Sequence, residues 1–517
     1  MEAAVALNVS STCGRQIVAI RDLPAGARLI ELTAPFASVP FSSSRCGGCG
    51  GASSALQKCS RCGAVRYCST SCQRVEWSSH KRECSALASA VSAGRRFPDA
   101  LRLAARVMLI ADAKAGDASA SSLATTKGPL TPARCAALDS AAGVQAMVAH
   151  PAEADTCATD SAMLGGLAML LGAGGDPRVI QRLSVDGPTL LARLRANAFT
   201  LADAEGRAFG VGLFPRAACL NHSCAPNAVV QFSAAAAASS MGVVASVRTT
   251  ERVKSGDEVT IAYVDVGQPG YLRRAAIRGA GYCFDCACPR CANADNTQFF
   301  LIETSPHPAP PSIHFPVTHD DEKMSGVACI TAGCDGLPCV AVDPPAITPR
   351  RAYVSTCRKC GERAPASSAT AALGALQAAA ASSAELEKGD AQAALAAAAP
   401  ALGVALRDLP ATHWALGVVA SAAAHAAVGT GAFDVAEAAN AAGTTAIRSA
   451  HPRNHPSPAL FAAQAGKLAH LKGNYARAVA SFKDALRVLS VTLGNDAELV
   501  RDLELRLAQA TAEEASA

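Results

Sequence analysis

The chain has 517 residues, half of them hydrophobic and 17% charged, with a net charge of +5. That length allows a few domains at roughly 100–200 residues each, and the charge is too mild to imply nucleic-acid binding by itself. No run of about 18 uncharged apolar residues occurs, which argues against a membrane span. The first residues lack the basic start and apolar core of a secretory signal. The expectation is an intracellular protein of nucleus or cytoplasm, where twenty-one cysteines point to metal rather than disulfides.

Residues 16–32 read as two short strands, Gln16–Ile20 and Ala27–Leu32, split by the turn Leu23-Pro24-Ala25-Gly26. Seven cysteines follow between Cys46 and Cys84, in the pattern Cys46-x2-Cys49, Cys59-x2-Cys62, Cys68-x3-Cys72, His80-x3-Cys84. Eight such ligands in four short-spaced pairs suit two closed tetrahedral zinc sites, because two ligands on one tight turn reach the same ion without stretching the backbone. Zinc then supplies most of the folding energy of so small a module. Spacing does not decide which pairs share an ion. Residues 45–84 also carry a surplus of Lys and Arg over Glu76 and Glu83. Such a surplus can attract acidic partners or a phosphate backbone, but is more often a solvated face.

Arg95 to Leu194 reads as mostly helical, with Ala/Ser/Thr/Gly-rich stretches at 115–134 and 151–162 expected to be mobile loops. Three β-rich runs come next, Val229–Phe232, Gly242–Arg248 and Glu258–Val264, with SAAAAASS between the first two expected at a hairpin tip. Residues 303–327, rich in Pro, His and Ser, read as a linker. A looser cysteine set, Cys329-x4-Cys334 and Cys357-x2-Cys360 with Cys339 between, looks like a small zinc ribbon, with Gly336 and Gly361 suited to knuckle turns. From about 370 onward the chain is Ala-rich and helical. There Gly473, Tyr475, Ala478, Phe482 and Ala485 fall where tetratricopeptide helix pairs carry small and bulky packing residues.

The chemistry-bearing stretch is 197–291. It holds Asn197-Ala198-Phe199-Thr200, Leu220-Asn221-His222-Ser223-Cys224, Gly256-Asp257-Glu258 through Tyr263, and Tyr282-Cys283-Phe284-Asp285-Cys286-Ala287-Cys288-Pro289-Arg290-Cys291. Singly each motif is weak, since a lone His is more often packed than functional and a tyrosine ending an apolar strand commonly fills space. In this order they resemble the C-terminal half of a SET domain with its Cys-rich tail. The strands at 16–32 resemble the first half, and 46–84, with Tyr67, Gln73 and Trp77, resembles a MYND finger. The whole looks like the SET-and-MYND family of protein-lysine methyltransferases.

The resemblance implies an α+β fold. A SET N-terminal part (5–44) would be followed by the MYND zinc finger (45–84), a helical insert with flexible loops (85–195), the SET core (196–265) and a post-SET zinc segment (266–300). A linker with a zinc ribbon (301–369) and a helical tetratricopeptide-like domain (370–517) would complete it. It implies zinc on Cys46, Cys49, Cys68 and Cys72, on Cys59, Cys62, His80 and Cys84, and on Cys224, Cys286, Cys288 and Cys291, leaving Cys283 spare. Cys329, Cys334, Cys357 and Cys360 are a fourth candidate set, read from their own spacing and not from the resemblance. It makes Gly14, Arg15, Gln16, Asn197, Asn221, His222, Tyr263 and Phe284 contacts to S-adenosyl-L-methionine. Tyr263 is then the active-site tyrosine, with Phe199 and Tyr282 walling the lysine channel. The implied activity is methyl transfer to a protein lysine, histone or otherwise.

A free lysine titrates near 10.4, so an aromatic channel that desolvates the amine favours the neutral nucleophile and holds it in line with the methyl group. The alternative is a non-catalytic adaptor binding proline-rich partners, through Gln73 and Trp77 of the finger. A weaker third reading is a DNA-associated factor using the basic finger. A monomer without membrane attachment is expected. One departure stands out: the family has a Gly-x-Gly turn where this chain has Gly14-Arg15-Gln16, and glutamine should cost something if that backbone needs glycine's freedom.

Overall fold

The computed structural model describes residues 4–10, 14–31, 35–41, 45–53, 55–113, 125–150, 154–172, 177–234, 242–302, 312–344 and 349–516. The chain divides into two units. One comprises Met1–Asn221, Asn227–Ile261 and Ala280–Cys283, and the other His222–Pro226, Ala262–Gly279 and Phe284–Ala517.

The first unit starts with a hairpin. Val5–Ser10 pairs antiparallel with Gly14–Ala19, in a register running from Val5 opposite Ala19 to Ser10 opposite Gly14. Alternation buries Val5, Leu7, Ile17 and Ala19, as a sheet with one covered face requires. Val243–Thr249, whose alternate residues Val243, Ala245, Val247 and Thr249 are buried, lies between Ala228–Ala234 and Arg28–Glu31. A third sheet orders Ala37–Pro40, Ala208–Leu213 and Ala198–Ala202. The expected run Glu258–Val264 is regular only at Thr260–Ile261, with Glu258 bridging Val18. Within the alanine-rich segment at 233–240, the strand continues to Ala234, and 235–240 lie outside the described residues.

The cysteine-rich module contributes the small hairpin Gln57–Lys58 and Arg66–Tyr67 and the helix Thr70–Ser92. Ser69 caps that helix by accepting from the Cys72 N–H at 3.1 Å. The helix passes the boundary expected at residue 84 without a break, because Leu87 and Ala90 continue its buried stripe. Leu87 joins one apolar core with Leu101, Val107, Leu167, Leu183 and Leu191 of the helical insert, and with Val39 and Leu213 of the third sheet. The mobile loop expected at 151–162 is corrected: Ala154–Leu170 is one helix, since its later residues Leu167 and Leu170 enter that core. Of 115–134, residues 115–124 lie outside the described part, while Gly128–Pro129 pairs with Val5–Ser10 and Pro132–Leu138 is helical.

A buried ionic network crosses this core. Arg106 donates to Glu76, to Glu83 Oε1 at 2.5 Å and to the Ser38 carbonyl at 2.8 Å. Arg102 grips Glu83 with two nitrogens at 3.1 and 2.8 Å, and the Tyr67 hydroxyl donates to Glu76 Oε2 at 2.6 Å. Burial raises the Glu83 carboxyl, but Arg106 and Arg102 outweigh it and hold the group well below the usual carboxylate range.

The second unit corrects the linker expected at 303–327. Residues 303–311 lie outside the described part, but Ser312–Val317 is a strand and His319–Ser325 a helix. That strand edges a four-stranded antiparallel sheet, continuing through Asp295–Leu301, Ala352–Ser355 and Val340–Val342. Thr318 and Asp321 form a capping box that starts the helix. Among the described residues seven helices follow, Ala366–Lys388, Ala391–Asp408, Trp414–Gly429, Phe433–Ala450, Pro456–Leu471, Tyr475–Thr492 and Glu498–Ser516. Alanine lets them pack closely. At Gly466 the approach is closer still: a Cβ there would lie 2.6 Å from the ring of fully buried Phe482.

Candidate functional site

In the first unit two ligand groups assemble from the eight-residue pattern. Cys46, Cys49, Cys68 and Cys72 form one and Cys59, Cys62, His80 and Cys84 the other, the donor atoms of each lying within 4.8 Å of one another. Separations of 3.8 Å for Cys49–Cys68, 3.5 Å for Cys68–Cys72 and 3.9 Å for Cys59–Cys84 bracket the ~3.8 Å edge of a tetrahedron with Zn–S bonds of about 2.3 Å. Burial pushes the Cys62 thiol up, but hydrogen bonds from His80 and from the Val65 and Ala64 N–H groups draw it down to about 6, while burial lowers His80 and its contacts with Cys62 and Glu83 raise it to about 10; a metal would take both groups deprotonated. His80 Nδ1 stands 3.5 Å from Glu83 Oε1, close enough for an ionic contact but, among the described residues, without a hydrogen bond.

The second unit gathers Cys224, Cys286, Cys288 and Cys291, with Cys224 Sγ 3.9 Å from Cys286 Sγ and 3.6 Å from Cys291 Sγ. Cys283 is exposed and belongs to none of the four-membered groups. Sequence reasoning passed over Arg290, which braces this site. It donates to the Cys224 carbonyl at 3.0 Å, Val266 at 2.9 Å and Ala450 at 3.0 Å, and pairs with Asp320 at 3.1 Å. The signal was its place inside the Cys-x-Cys-x2-Cys run, where a large cation would be wasteful unless used. Arg273, fully buried, lies with its Nη2 3.8 Å from Cys291 Sγ, where its charge favours the thiolate form.

His222 ties this group to Tyr263. Its Nδ1 accepts the Tyr263 backbone N–H at 3.0 Å, which puts the ring proton on Nε2, 3.2 Å from Cys224 Sγ. Both ring nitrogens are therefore engaged by protein groups, and a ligand would meet only the ring face or the backbone. The rings of His222, Tyr263 and Phe284 cluster, tilted or edge-on to one another, with centroids 5.4 Å (His222–Tyr263), 5.9 Å (His222–Phe284) and 6.4 Å (Tyr263–Phe284) apart.

The other expected site residues lie in the first unit. Asn221 Nδ2 donates to Glu258 Oε1 at 2.8 Å. The Val259 N–H donates to the Ile17 carbonyl at 2.8 Å, so strand Gly14–Ala19 and Asn221 flank the same short segment. Asn197 donates to the carbonyls of Val148 at 2.8 Å and Arg193 at 2.7 Å, a helix-ending role unforeseen from its motif. Phe199 joins Phe214 and Phe232, with centroids 6.2 and 5.8 Å away. Burial raises the Tyr282 hydroxyl, which stays protonated at neutral pH. The conformational cost expected of Gln16 is corrected: the left-handed backbone falls on Gly14, at φ +67°, while Gln16 sits in ordinary register opposite Asn8. Among the described residues, the buried Arg15 Nη1 has no hydrogen-bond partner.

A family model described as the MYND finger matches residues 46–84. Among curated proteins, the chain is 30% identical over 287 residues to the histone-lysine N-methyltransferase ASHR1 of Arabidopsis thaliana, covering 54% of this chain and 53% of that one. It is 30% identical over 246 residues to the histone-lysine N-methyltransferase SMYD3 of Mus musculus, covering 46% and 50%. To the N-lysine methyltransferase SMYD2 of Homo sapiens it is 27% identical over 248 residues, covering 46% and 48%. The chain thus spans about half the length of the curated relatives it matches. Residues 46–84 are a MYND finger, and the chain is similar over about half its length to these named lysine methyltransferases.

On the MYND finger, Gln73 and Trp77 lie one helical turn apart on Thr70–Ser92 and so share a face. Trp77 keeps 38% of its surface exposed while its ring edges onto His80 at 5.8 Å, so it serves the interior of the MYND finger and still presents an indole outside. No helix among the described residues is long and apolar enough to cross a membrane.

Proposed function

We propose that the chain transfers a methyl group from S-adenosyl-L-methionine to the side-chain amine of a lysine in a protein. The observation that carries this reading is the run of relatives named as lysine methyltransferases, matched at 27–30% identity beyond the finger itself. The SET-like portions would be 5–44 and 196–265, the post-SET portion 266–300 and the tetratricopeptide-like portion 370–517.

The residues suit the donor. Arg15 brings a buried guanidinium nitrogen without a hydrogen-bond partner among the described residues, the complement of an amino-acid carboxylate. Arg193 lies close enough that burial and the Arg15 charge both lower its pKa, so that corner of the first unit favours an anion. Gly14, Gln16, Asn197 through its carbonyl oxygen, Asn221, the His222 backbone and the Phe284 ring would complete the contacts. When bound, the sulfonium donor supplies an electrophilic methyl group.

The chain's own part is to prepare the amine. Phe199, Tyr282 and Tyr263 would exclude water from it, favouring the neutral form, and the Tyr263 hydroxyl would orient its lone pair. His222 is a positioning residue: its bond to the Tyr263 N–H fixes that backbone, and its Nε2–H anchors the same segment to the Cys224 thiolate. Zinc on the three groups at 46–84 and 224–291 would be structural, each having four protein ligands and no open position. Gln73 and Trp77 would dock a proline-rich segment on the finger, an indole stacking well on proline.

The deciding experiment incubates the zinc-loaded chain with radiolabelled donor and a mixed protein extract, beside calorimetry with donor alone. Labelled lysine together with donor binding is expected. Binding without transfer would indicate an adaptor and refute the enzyme. Quenching of Trp77 fluorescence by a proline-rich peptide, lost in Trp77→Ala, is the expected mark of the docking face; an unquenched indole refutes it.

A further inference from the structure

Four cysteines outside the MYND finger and outside the Cys224 group converge on the second unit. Cys329, Cys334, Cys357 and Cys360 bring their sulfurs within 4.8 Å of one another, with 3.3 Å between Cys329 and Cys360 and 3.7 Å between Cys334 and Cys357. All are free thiols. Two pairs come from loops that different strands of the four-stranded sheet deliver. Val327–Cys339 precedes strand Val340–Val342, and Thr356–Arg363 follows strand Ala352–Ser355.

The loops are built around the sulfurs. The Cys334 N–H donates to Thr331 O at 3.0 Å and the Gly361 N–H to Cys357 O at 2.9 Å, closing a tight turn at each pair. Gly336 is packed against the ligands: a Cβ there would stand 2.2 Å from Cys357 Sγ and 3.4 Å from Cys334 Sγ. The Thr331 hydroxyl lies 3.4 Å from Cys360 Sγ. Arg358 moors the second loop to Asp295 at 2.7 Å and to Glu322 at 3.3 Å.

Apolar burial does not account for the convergence, since Cys360 is exposed and Cys329 and Cys334 are half-buried. The fifth cysteine of the region behaves otherwise. Cys339 is buried in the hydrophobic core and stands apart from the four. Holding two loops in one arrangement costs roughly 1–2 kcal/mol per ordered residue, and these loops bury few side chains to offset it.

We propose that Cys329, Cys334, Cys357 and Cys360 hold a structural zinc ion that fastens the two loops of the four-stranded sheet, a site separate from the three groups at 46–84 and 224–291. The four sulfurs stand at about the spacing of a tetrahedral tetrathiolate, in which Zn–S bonds of about 2.3 Å set edges of ~3.8 Å. The closed set leaves no position for a substrate, so the ion's part is to fold the loops rather than to react.

Metal analysis of the full chain, purified without chelators, tests this. The wild type should carry one more zinc per chain than the Cys334→Ser/Cys360→Ser variant, and one more than Gly336→Ala, whose added methyl collides with Cys357 Sγ. Alkylation of the wild type read by peptide mass spectrometry keeps the test independent of variant folding. Cys329, Cys334, Cys357 and Cys360 should resist iodoacetamide until a chelator is added. Equal zinc content in wild type and variants, iron in place of zinc, or ready alkylation of the four thiols before chelation would each overturn the assignment.

Discussion

Arg106 is the residue whose removal should most loosen the first unit without touching a metal ligand. Its guanidinium is buried among Glu76, Glu83 and the Ser38 carbonyl. In Arg106→Met the side chain still fills space, but Glu76 is left with the Tyr67 hydroxyl and Glu83 with Arg102. Breaking a buried ion pair from one side costs about 3–5 kcal/mol, because the remaining carboxylate stays out of water, uncompensated. The two tryptophans make the assay local: Trp77 lies on the finger helix of the first unit and Trp414 is buried in the second. In a Trp414→Phe background, urea denaturation of zinc-saturated protein followed by Trp77 emission should show Arg106→Met unfolding with a stability lower by about 3–5 kcal/mol. The double variant Arg106→Met/Glu76→Gln should recover part of the loss, since Glu83 keeps its two bonds from Arg102 and no carboxylate is then stranded. A loss under about 1 kcal/mol, the scale of an exposed pair, would refute the idea that this network fastens the finger to the strand carrying Ser38.

Three further outcomes are expected. Tyr263→Phe should slow methyl transfer by about 100–1000-fold, the usual cost of one preorganised hydrogen-bond donor, while calorimetry finds donor binding little changed; equal turnover would remove the hydroxyl from the chemistry. Gly466→Ala gains about 1 kcal/mol of helix propensity but drives a methyl into the Phe482 ring at 2.6 Å, and overpacking of roughly 1–3 kcal/mol should win, lowering the stability of the second unit by up to about 2 kcal/mol; a stabilised variant would show that the helices part freely. Burial pulls His413 down to about 3, so its folded pKa lies below its unfolded one. From pH 6.5 downward the unfolded state binds the extra proton, and stability falls by up to about 1.4 kcal/mol per pH unit. His413→Gln should reduce the pH 5–6.5 slope read from Trp414 emission, His455, likewise pulled down to about 3 by burial, keeping its own share, and an unchanged slope would place the titration elsewhere.

The features legible in the sequence were those whose chemistry needs short spacing or strict alternation. Pairs such as Cys46-x2-Cys49 and His80-x3-Cys84 declare a metal because the turn that joins them is local, and Val243–Thr249 declares a strand because every second residue is buried. Less visible was whatever depends on distant partners. Glu76, Glu83, Arg102 and Arg106 read as ordinary polar positions on two helices, and only packing reveals them as one buried network. Ser312–Val317 lies in a segment rich in Pro, His and Ser, and becomes a strand because Asp295–Leu301 offers its whole edge. The motif around His222 was recognised, yet the engagement of both its nitrogens follows from the chain returning at Tyr263 and closing the Cys224 group, which no local pattern encodes.

The composition of the Cys224 group has a consequence for biosynthesis. Cys224 and Cys286 are 62 residues apart in the chain, which at ~5–20 residues per second is an interval of about 3–12 s on the ribosome. During that time the first thiol has left the exit tunnel with none of its three co-ligands made. A nascent chain stalled before residue 291 would carry an incomplete cradle, open to whatever scavenges thiols in the cell.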